Sequence, residues 1–194
     1  MATVVLRPSG TVLGIGNFKD QANFALLSVH SQTNDEDNST YIYNFTADQG
    51  FIVELDDTSS LSGATFNNFV VTAIFQKHSA KGSSAKFEVR IGDSSSSTTF
   101  GGPQTFLTTN ASPTTISGAS INFGGSVSDS DVDGMRIQVN TTNSTQVRLF
   151  ELYVTVDYTA AASGYGNAVN SVASANIAKV DGVTTANIEK VIGV

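Results

Sequence analysis

Cysteine and tryptophan are absent from this 194-residue chain, and proline occurs only three times. Without cysteine there is no disulfide, no thiolate metal site and no cysteine nucleophile. Small secreted domains often depend on disulfides, but a chain of this length can bury one sizeable core without them. Charge is scarce too: Asp, Glu, Lys and Arg make up 14% of the residues, and the formal net charge is −7. A general nucleic-acid binder needs a basic stripe to displace counterions, and none is visible. No apolar run approaches the length of a membrane span. The opening Met1-Ala2-Thr3-Val4-Val5-Leu6-Arg7 lacks the basic region and long apolar stretch of a signal peptide. These absences describe a soluble chain made in a cytoplasm, with no nucleic-acid partner, no membrane partner and no cofactor.

Ser, Thr, Asn, Gly, Val, Ile and Phe dominate instead, a composition suited to short strands joined by polar turns. Phe87, Val89 and Ile91 alternate with Lys86, Glu88 and Arg90, and Met135, Ile137 and Val139 alternate with Arg136, Gln138 and Asn140. Both runs have the period of two of a strand with one wet and one buried face. From Asn68 to Phe75 both faces are largely apolar, which predicts a strand that is central or lies at a subunit contact. Gln146 to Tyr158 carries a parity break. Val147 and Leu149 point one way, whereas Leu152, Val154, Val156 and Tyr158 have the opposite parity, so a β-bulge is expected near Phe150 and Glu151. Further strands are expected at Thr3–Leu6, Tyr41–Phe45, Phe51–Leu55, Thr105–Thr108 and Ala119–Phe123. Ala22–Val29 fits a short helix or a turn. Gly82-Ser83-Ser84, Ser94–Ser97, Gly101-Gly102-Pro103 and Gly124-Gly125-Ser126 read as turns and loops. The expected fold is all-β, an antiparallel β-sandwich of jelly-roll type over residues 1–158. A small-residue linker (159–166) and an extended C-terminal repeat tail (167–194) follow.

The tail holds two near-copies of one phrase. Ala175-Asn176-Ile177-Ala178-Lys179-Val180-Asp181-Gly182-Val183 recurs eleven residues later as Ala186-Asn187-Ile188-Glu189-Lys190-Val191-Ile192-Gly193-Val194. A tandem phrase is a structural unit, because each copy buries its apolar face against a neighbour. Eleven residues would fit three helical turns. The β-branched content and the Gly182 and Gly193 positions favour an extended, turn-punctuated tail over that helix. Its interaction residues are Ile177, Val180, Val183, Ile188, Val191 and Val194.

Residues that could carry chemistry are few. Asp129-Ser130-Asp131-Val132-Asp133-Gly134 opens like a calcium loop, with Asp129, Asp131 and Asp133 as candidate ligands. The twelfth position is Asn140 rather than a bidentate glutamate, so a polar turn leading into the strand at Met135 is favoured. Asn34-Asp35-Glu36-Asp37-Asn38 reads as a solvated acidic loop. His30 and His78 are the two histidines, and no Gly-x-Ser-x-Gly elbow accompanies them. Glu54, Asp56, Asp57, Glu88 and Glu151 supply carboxylates in number, without a pattern that pairs them across a cleft. Gly14-Ile15-Gly16 lacks the lysine and helix of a phosphate loop. Asn38, Asn44, Asn140 and Asn143 head glycosylation-type triplets that fall by chance in so Asn- and Thr-rich a chain. Tyr41, Tyr43, Tyr153 and Tyr165 could stack sugar rings, against the ordinary reading of each as a partly buried strand residue.

Leu6-Arg7-Pro8-Ser9-Gly10-Thr11, the acidic loop before Thr40-Tyr41-Ile42, and the late strand Tyr153-Val154-Thr155-Val156-Asp157-Tyr158 resemble jelly-roll virion proteins of tailed bacteriophages. The phrase Ala-Asn-Ile-x-Lys-Val-x-Gly-Val resembles the C-terminal repeats of phage structural proteins. The resemblance implies a non-enzymatic virion subunit, made in the host bacterial cytoplasm and released by lysis. Such a subunit would decorate or cement the capsid, or form part of the neck, tail or fibre. Its partners would be its own copies, as a symmetric ring or trimer, and other virion proteins. The alternative is a glycan-binding, receptor-binding β-sandwich module with a surface glycan as ligand.

Overall fold

The period-two runs form strands, and the strands close over one core. The computed structural model describes residues 2–13, 18, 33, 40–44, 50–58, 61, 63–78, 83–92, 99–123, 127, 129–141, 147–161, 179, 180, 183 and 184. Their elements are β1 (Ala2–Leu6), β2 (Pro8–Leu13), β3 (Ile42–Asn44), β4 (Gly50–Leu55), β5 (Thr65–Lys77), β6 (Ala85–Gly92), β7 (Thr99–Thr108), β8 (Thr114–Ser117), β9 (Ile121–Asn122), α1 (Asp129–Asp133), β10 (Arg136–Thr141), β11 (Val147–Thr159), β12 (Lys179–Val180) and β13 (Val183–Thr184). Every described strand pair is antiparallel. One sheet runs β1-β11-β5-β8, with β3 also on β11 and β9 also on β5; the other runs β2-β4-β10-β6-β7. The chain divides into a unit Met1–Thr159 and a unit Ala160–Val194. The first is the antiparallel sandwich of jelly-roll type.

Aromatic rings join the two layers. Phe75 of β5 meets Phe87 of β6 edge-on at 4.8 Å, and Phe87 stacks on Phe106 of β7 at 5.2 Å. Phe18 plugs the core against Phe51 at 5.0 Å. Edge-on and offset contacts of this kind suit the ring quadrupole. The both-faces-apolar run lies in β5, which is interior to its sheet, between β11 and the short strands β8 and β9.

The parity break in β11 is resolved as the sequence predicts. Leu149 lies opposite Phe75 and Glu151 opposite Ile74, so Phe150 is the extra residue of a bulge. Val147 and Leu149 before it, and Leu152, Val154 and Val156 after it, all reach the core. Glu151 thereby falls on the outer side of the sheet, yet it is only 3% exposed. Arg7 answers it: Nη1 donates to Glu151 Oε2 at 2.8 Å. Arg7 is also where the chain leaves β1 in one sheet for β2 in the other. Its backbone N–H donates to Asp56 Oδ2 at 3.2 Å, and its carbonyl accepts from the Asp56 N–H at 2.9 Å.

Several boundaries differ from the sequence reading. β7 runs through Gly101-Gly102-Pro103, which reads as a loop in sequence. Gly101 takes a φ of 71°, and the register with β6 shifts between Val89 and Ile91, so a bulge absorbs the turn residues. Pro103 is tolerated because β7 lies at the sheet edge, where a missing N–H costs no ladder bond. β2 and β8 have no apolar alternation to announce them, and the expected strand Ala119–Phe123 shrinks to Ile121–Asn122. Asp129–Asp133 is one helical turn rather than a polar turn, because Val132 and Met135 are both drawn into the core. Ala22–Val29 lies outside the described residues.

Replacing Arg7 by Met removes the ion pair that balances the buried Glu151 carboxylate. We expect this to cost about 3 kcal/mol in urea unfolding, with much of the loss recovered in Arg7→Met/Glu151→Leu.

Candidate functional site

Strand alternation sends Tyr153, Thr155 and Asp157 of β11 to the outer face of the six-stranded sheet, opposite the core residues Leu152, Val154 and Val156. Across β5 they face Thr72, Val70 and Asn68, and across β1 Thr155 and Asp157 face Val5 and Thr3. Asn68 in turn lies opposite Asn122, and Thr72 opposite Ser117. The Thr72 and Ser117 hydroxyls are 2.9 Å apart. From Tyr153 to Asp157 the row is about 13 Å long at ~3.3 Å per residue. Tyr153 is half-buried, and the Arg7 guanidinium carbon lies 5.2 Å from its ring centroid. The ring is therefore held in place by the same arginine that neutralises Glu151. The face combines one fixed aromatic ring with hydroxyls, amides and a carboxylate.

A second cluster stands further along β11, where Arg148 is the centre. Its guanidinium lies 4.8 Å from the Tyr41 ring centroid, and Nη2 is 3.0 Å from His78 Nε2. With the Gln76 amide oriented to satisfy its neighbours, the Gln76 oxygen accepts from Arg148 Nη1 at 3.2 Å. Tyr41 also packs on Phe150 at 5.3 Å, and Tyr43 lies 6.2 Å from the His78 ring. Tyr43 is only 7% exposed. A guanidinium can only donate, so His78 Nε2 accepts and the neutral ring carries its proton on Nδ1. Burial first, and the Arg148 charge second, hold the His78 pKa below its ordinary value of 6.5.

Of the four sequence-predicted tyrosines, Tyr153 is on the polar face, Tyr41 is capped by Arg148, and Tyr43 is buried. Tyr165 lies outside the described residues, as do His30, the Asn34–Asn38 loop, Ile177, Ile188, Val191 and Val194. Val180 and Val183 pair antiparallel across β12 and β13.

The aspartate segment is a helical turn tied to β4. Asp133 Oδ1 accepts from both the backbone N–H and the hydroxyl of Thr58, tying α1 to the end of β4. Asp129, Asp131 and Asp133 all lie on this one-turn helix. No cluster of three or more His, Asp or Glu side chains suited to a metal occurs among the described residues. Three of the five scattered carboxylates are engaged: Glu54 pairs with Arg136 at 3.7 Å, Asp56 with the Arg7 N–H, and Glu151 with Arg7.

Sequence reasoning missed Arg7 and Arg148 as tyrosine partners. Nothing local marks either one, because each meets its ring only after distant strands pair. The row Thr155, Asp157, Asn68 and Thr72 was within reach, as the residues alternating with the core positions of β11 and β5.

The low His78 pKa makes the unfolded chain bind the extra proton first. Stability linked to His78 is complete above pH 6.5 and is lost as pH falls through the folded-state value. Melting temperatures measured between neutral and mildly acidic pH should therefore fall less steeply for His78→Gln than for the wild type.

No protein-family model matches the chain, and no curated protein matches it in sequence. Solved structures do show similarity. An arabinose-bound MgGH51 α-L-arabinofuranosidase aligns with a TM-score of 0.44 at 12% identity, over 74% of this chain and 23% of that one. The CBM22-1 xylan-binding domain of Paenibacillus barcinonensis Xyn10C aligns with a TM-score of 0.42 at 9% identity, over 78% of this chain and 92% of that one. The CBM22-1-GH10 modules of Clostridium thermocellum endo-1,4-beta-D-xylanase 10B, complexed with xylohexaose, align with a TM-score of 0.41 at 12% identity, over 79% of this chain and 28% of that one. The chain thus spans about a quarter of the length of the arabinofuranosidase and of the xylanase.

Proposed function

We propose that the sandwich is a non-catalytic carbohydrate-binding module and that its ligand lies on the outer face of the six-stranded sheet. The observation that carries the reading is Tyr153, a half-exposed ring fixed by Arg7 and set in a row with Thr155 and Asp157. A sugar ring offers a C–H face and a rim of hydroxyls. The tyrosine suits the first. Thr155, Asn68 and Asp157 supply donors and acceptors for the second. A ring already held in its rotamer loses little entropy when a ligand stacks on it. Binding energy from one ring and a few exposed hydrogen bonds corresponds to a Kd near ~1 mM, about −4 kcal/mol. The non-catalytic assignment is supported by Glu54, Asp56, Asp133 and Glu151, whose carboxylates have structural partners rather than facing one another across a cleft.

Affinity electrophoresis against a panel of cell-wall and capsular polysaccharides tests this. At least one polysaccharide should retard the wild-type chain. Tyr153→Ala should weaken that binding about five- to tenfold, equivalent to ~1–1.4 kcal/mol, with circular dichroism verifying that the variant is folded. Equal retardation of Tyr153→Ala and wild type would place the ligand elsewhere, and no retardation by any polysaccharide would remove the reading.

A second reading is supported by the tandem tail: the chain is a structural subunit of a tailed-phage virion, anchored through residues 167–194. Its support is the in-register repeat and the β12–β13 pairing inside the first copy. Main-chain pairing would give such docking its affinity, and alternate side chains its register. Deleting residues 167–194 should abolish incorporation into particles, scored by mass spectrometry of gradient-purified virions, while the circular dichroism of the sandwich persists. Normal incorporation of the truncated chain would sink it.

A further inference from the structure

Sheet edges are templates for pairing with another chain, and proteins usually blunt them. Among the described strands, three of the four sheet edges of the sandwich are blunted. β7 carries Pro103 and the Gly101 bulge, Ile121 packs on Gly101, and the Gln104 amide donates to the Ala119 carbonyl at 3.0 Å. β2 begins at a proline and changes register twice against β4. β8 and β9 are only four and two residues long. The edge formed by β1 differs. Its five residues, Ala-Thr-Val-Val-Leu, pair with β11 in unbroken register and include no proline, glycine or charge. Among the described residues β1 pairs on that side alone. It also carries Val5, one of two exposed large hydrophobics among the described residues, at 45% exposure.

We propose that β1 is a homodimer edge, pairing antiparallel with β1 of a second copy about a two-fold axis at Val4. The strand is complementary to itself in this register. Val4 meets Val4 of the partner copy and Leu6 meets Ala2 on the core side, continuing the row that Val4 and Leu6 already occupy. Val5 meets Thr3 on the outer side, where both are exposed. No charge opposes another, and the exposed valine gains a β-branched neighbour, a favourable cross-strand pair. The two-fold makes the contact closed, so association stops at two copies instead of growing into a fibre. One strand pair is a small interface, so the dimer exchanges readily with monomer.

Sedimentation velocity of the full-length chain over a concentration series from about 1 µM to about 500 µM tests the pairing, a range that brackets the weak affinities a small interface gives. The wild-type chain should shift from monomer to dimer as concentration rises. Thr3→Lys/Val5→Lys sets lysine against lysine twice across the axis and should raise the dissociation constant at least tenfold. Thr3→Lys/Val5→Glu sets lysine against glutamate in the same two places and should restore dimerisation. Both variants change exposed positions, and circular dichroism verifies that each is folded. A wild-type chain that stays monomeric would overturn the proposal. So would association that is insensitive to the double lysine, which would place the contact in the repeat tail or on another face. Failure of the lysine–glutamate variant to recover would overturn the Val4-centred register.

Discussion

One added residue in β11 decides how the sandwich closes. β11 contacts β1 and β3 on one side and β5 on the other, so it sets the register of its whole sheet. Its two apolar stretches have opposite parity, and without the bulge at Phe150 one of them would face water. The bulge brings both inward but pushes the neighbouring Glu151 to the outer side, where little water reaches it. A buried carboxylate needs a cation and hydrogen bonds, and Arg7 supplies both from the point where the chain crosses between sheets. Bulge, salt bridge and crossover are thus one device, and the placement of Tyr153 follows from it through the same guanidinium.

Most of the described aromatic side chains on the outer face are closed to a ligand. Tyr41, Tyr43 and Phe150 pack around Arg148 and His78, closing the end of the sheet at β3. The half-exposed Tyr153 stands in a different setting, among threonines, asparagine and aspartate that have no packing role in the core. The contrast is between a cation used to bind strands together and a cation used to hold a ring upright. The five-stranded sheet, by comparison, presents Glu54, Arg136, Gln138, Arg90, Asn140 and Glu88 along its outer side without a ring among them.

The strands with strict alternation were legible from the residues alone: Phe87–Ile91, the run after Met135, and both halves of β11 with the bulge between them. Phe69–Phe75 was recognisable as an interior strand because both its faces are apolar. β2 and β8 were not legible, since Pro-Ser-Gly-Thr-Val-Leu and Thr-Thr-Ile-Ser belong to edge positions whose pairing is set by their neighbours rather than by their own hydrophobicity. The β7 segment was misread because glycine and proline mark a loop in sequence but a bulge on an edge strand. The aspartate triplet read as a polar turn rather than a helical one because spacing alone cannot reveal that Val132 and Met135 pull the segment into the core. For the candidate site, a tyrosine at position 153 was visible in sequence; the arginine that fixes it comes from the other end of the domain.

The pairing of Ala2 with Tyr158 also constrains the order of events during synthesis. The first described strand of the sandwich pairs with its last, so β1 waits until nearly all of the sandwich has been made. Arg7 waits with it, since Glu151 arrives at the same time. Contacts of such long separation fold slowly. Throughout that interval Ala-Thr-Val-Val-Leu is an uncharged strand with both edges open, and it can pair with neighbouring nascent chains. The absence of charge in β1 therefore leaves this segment dependent on protection before the fold is complete.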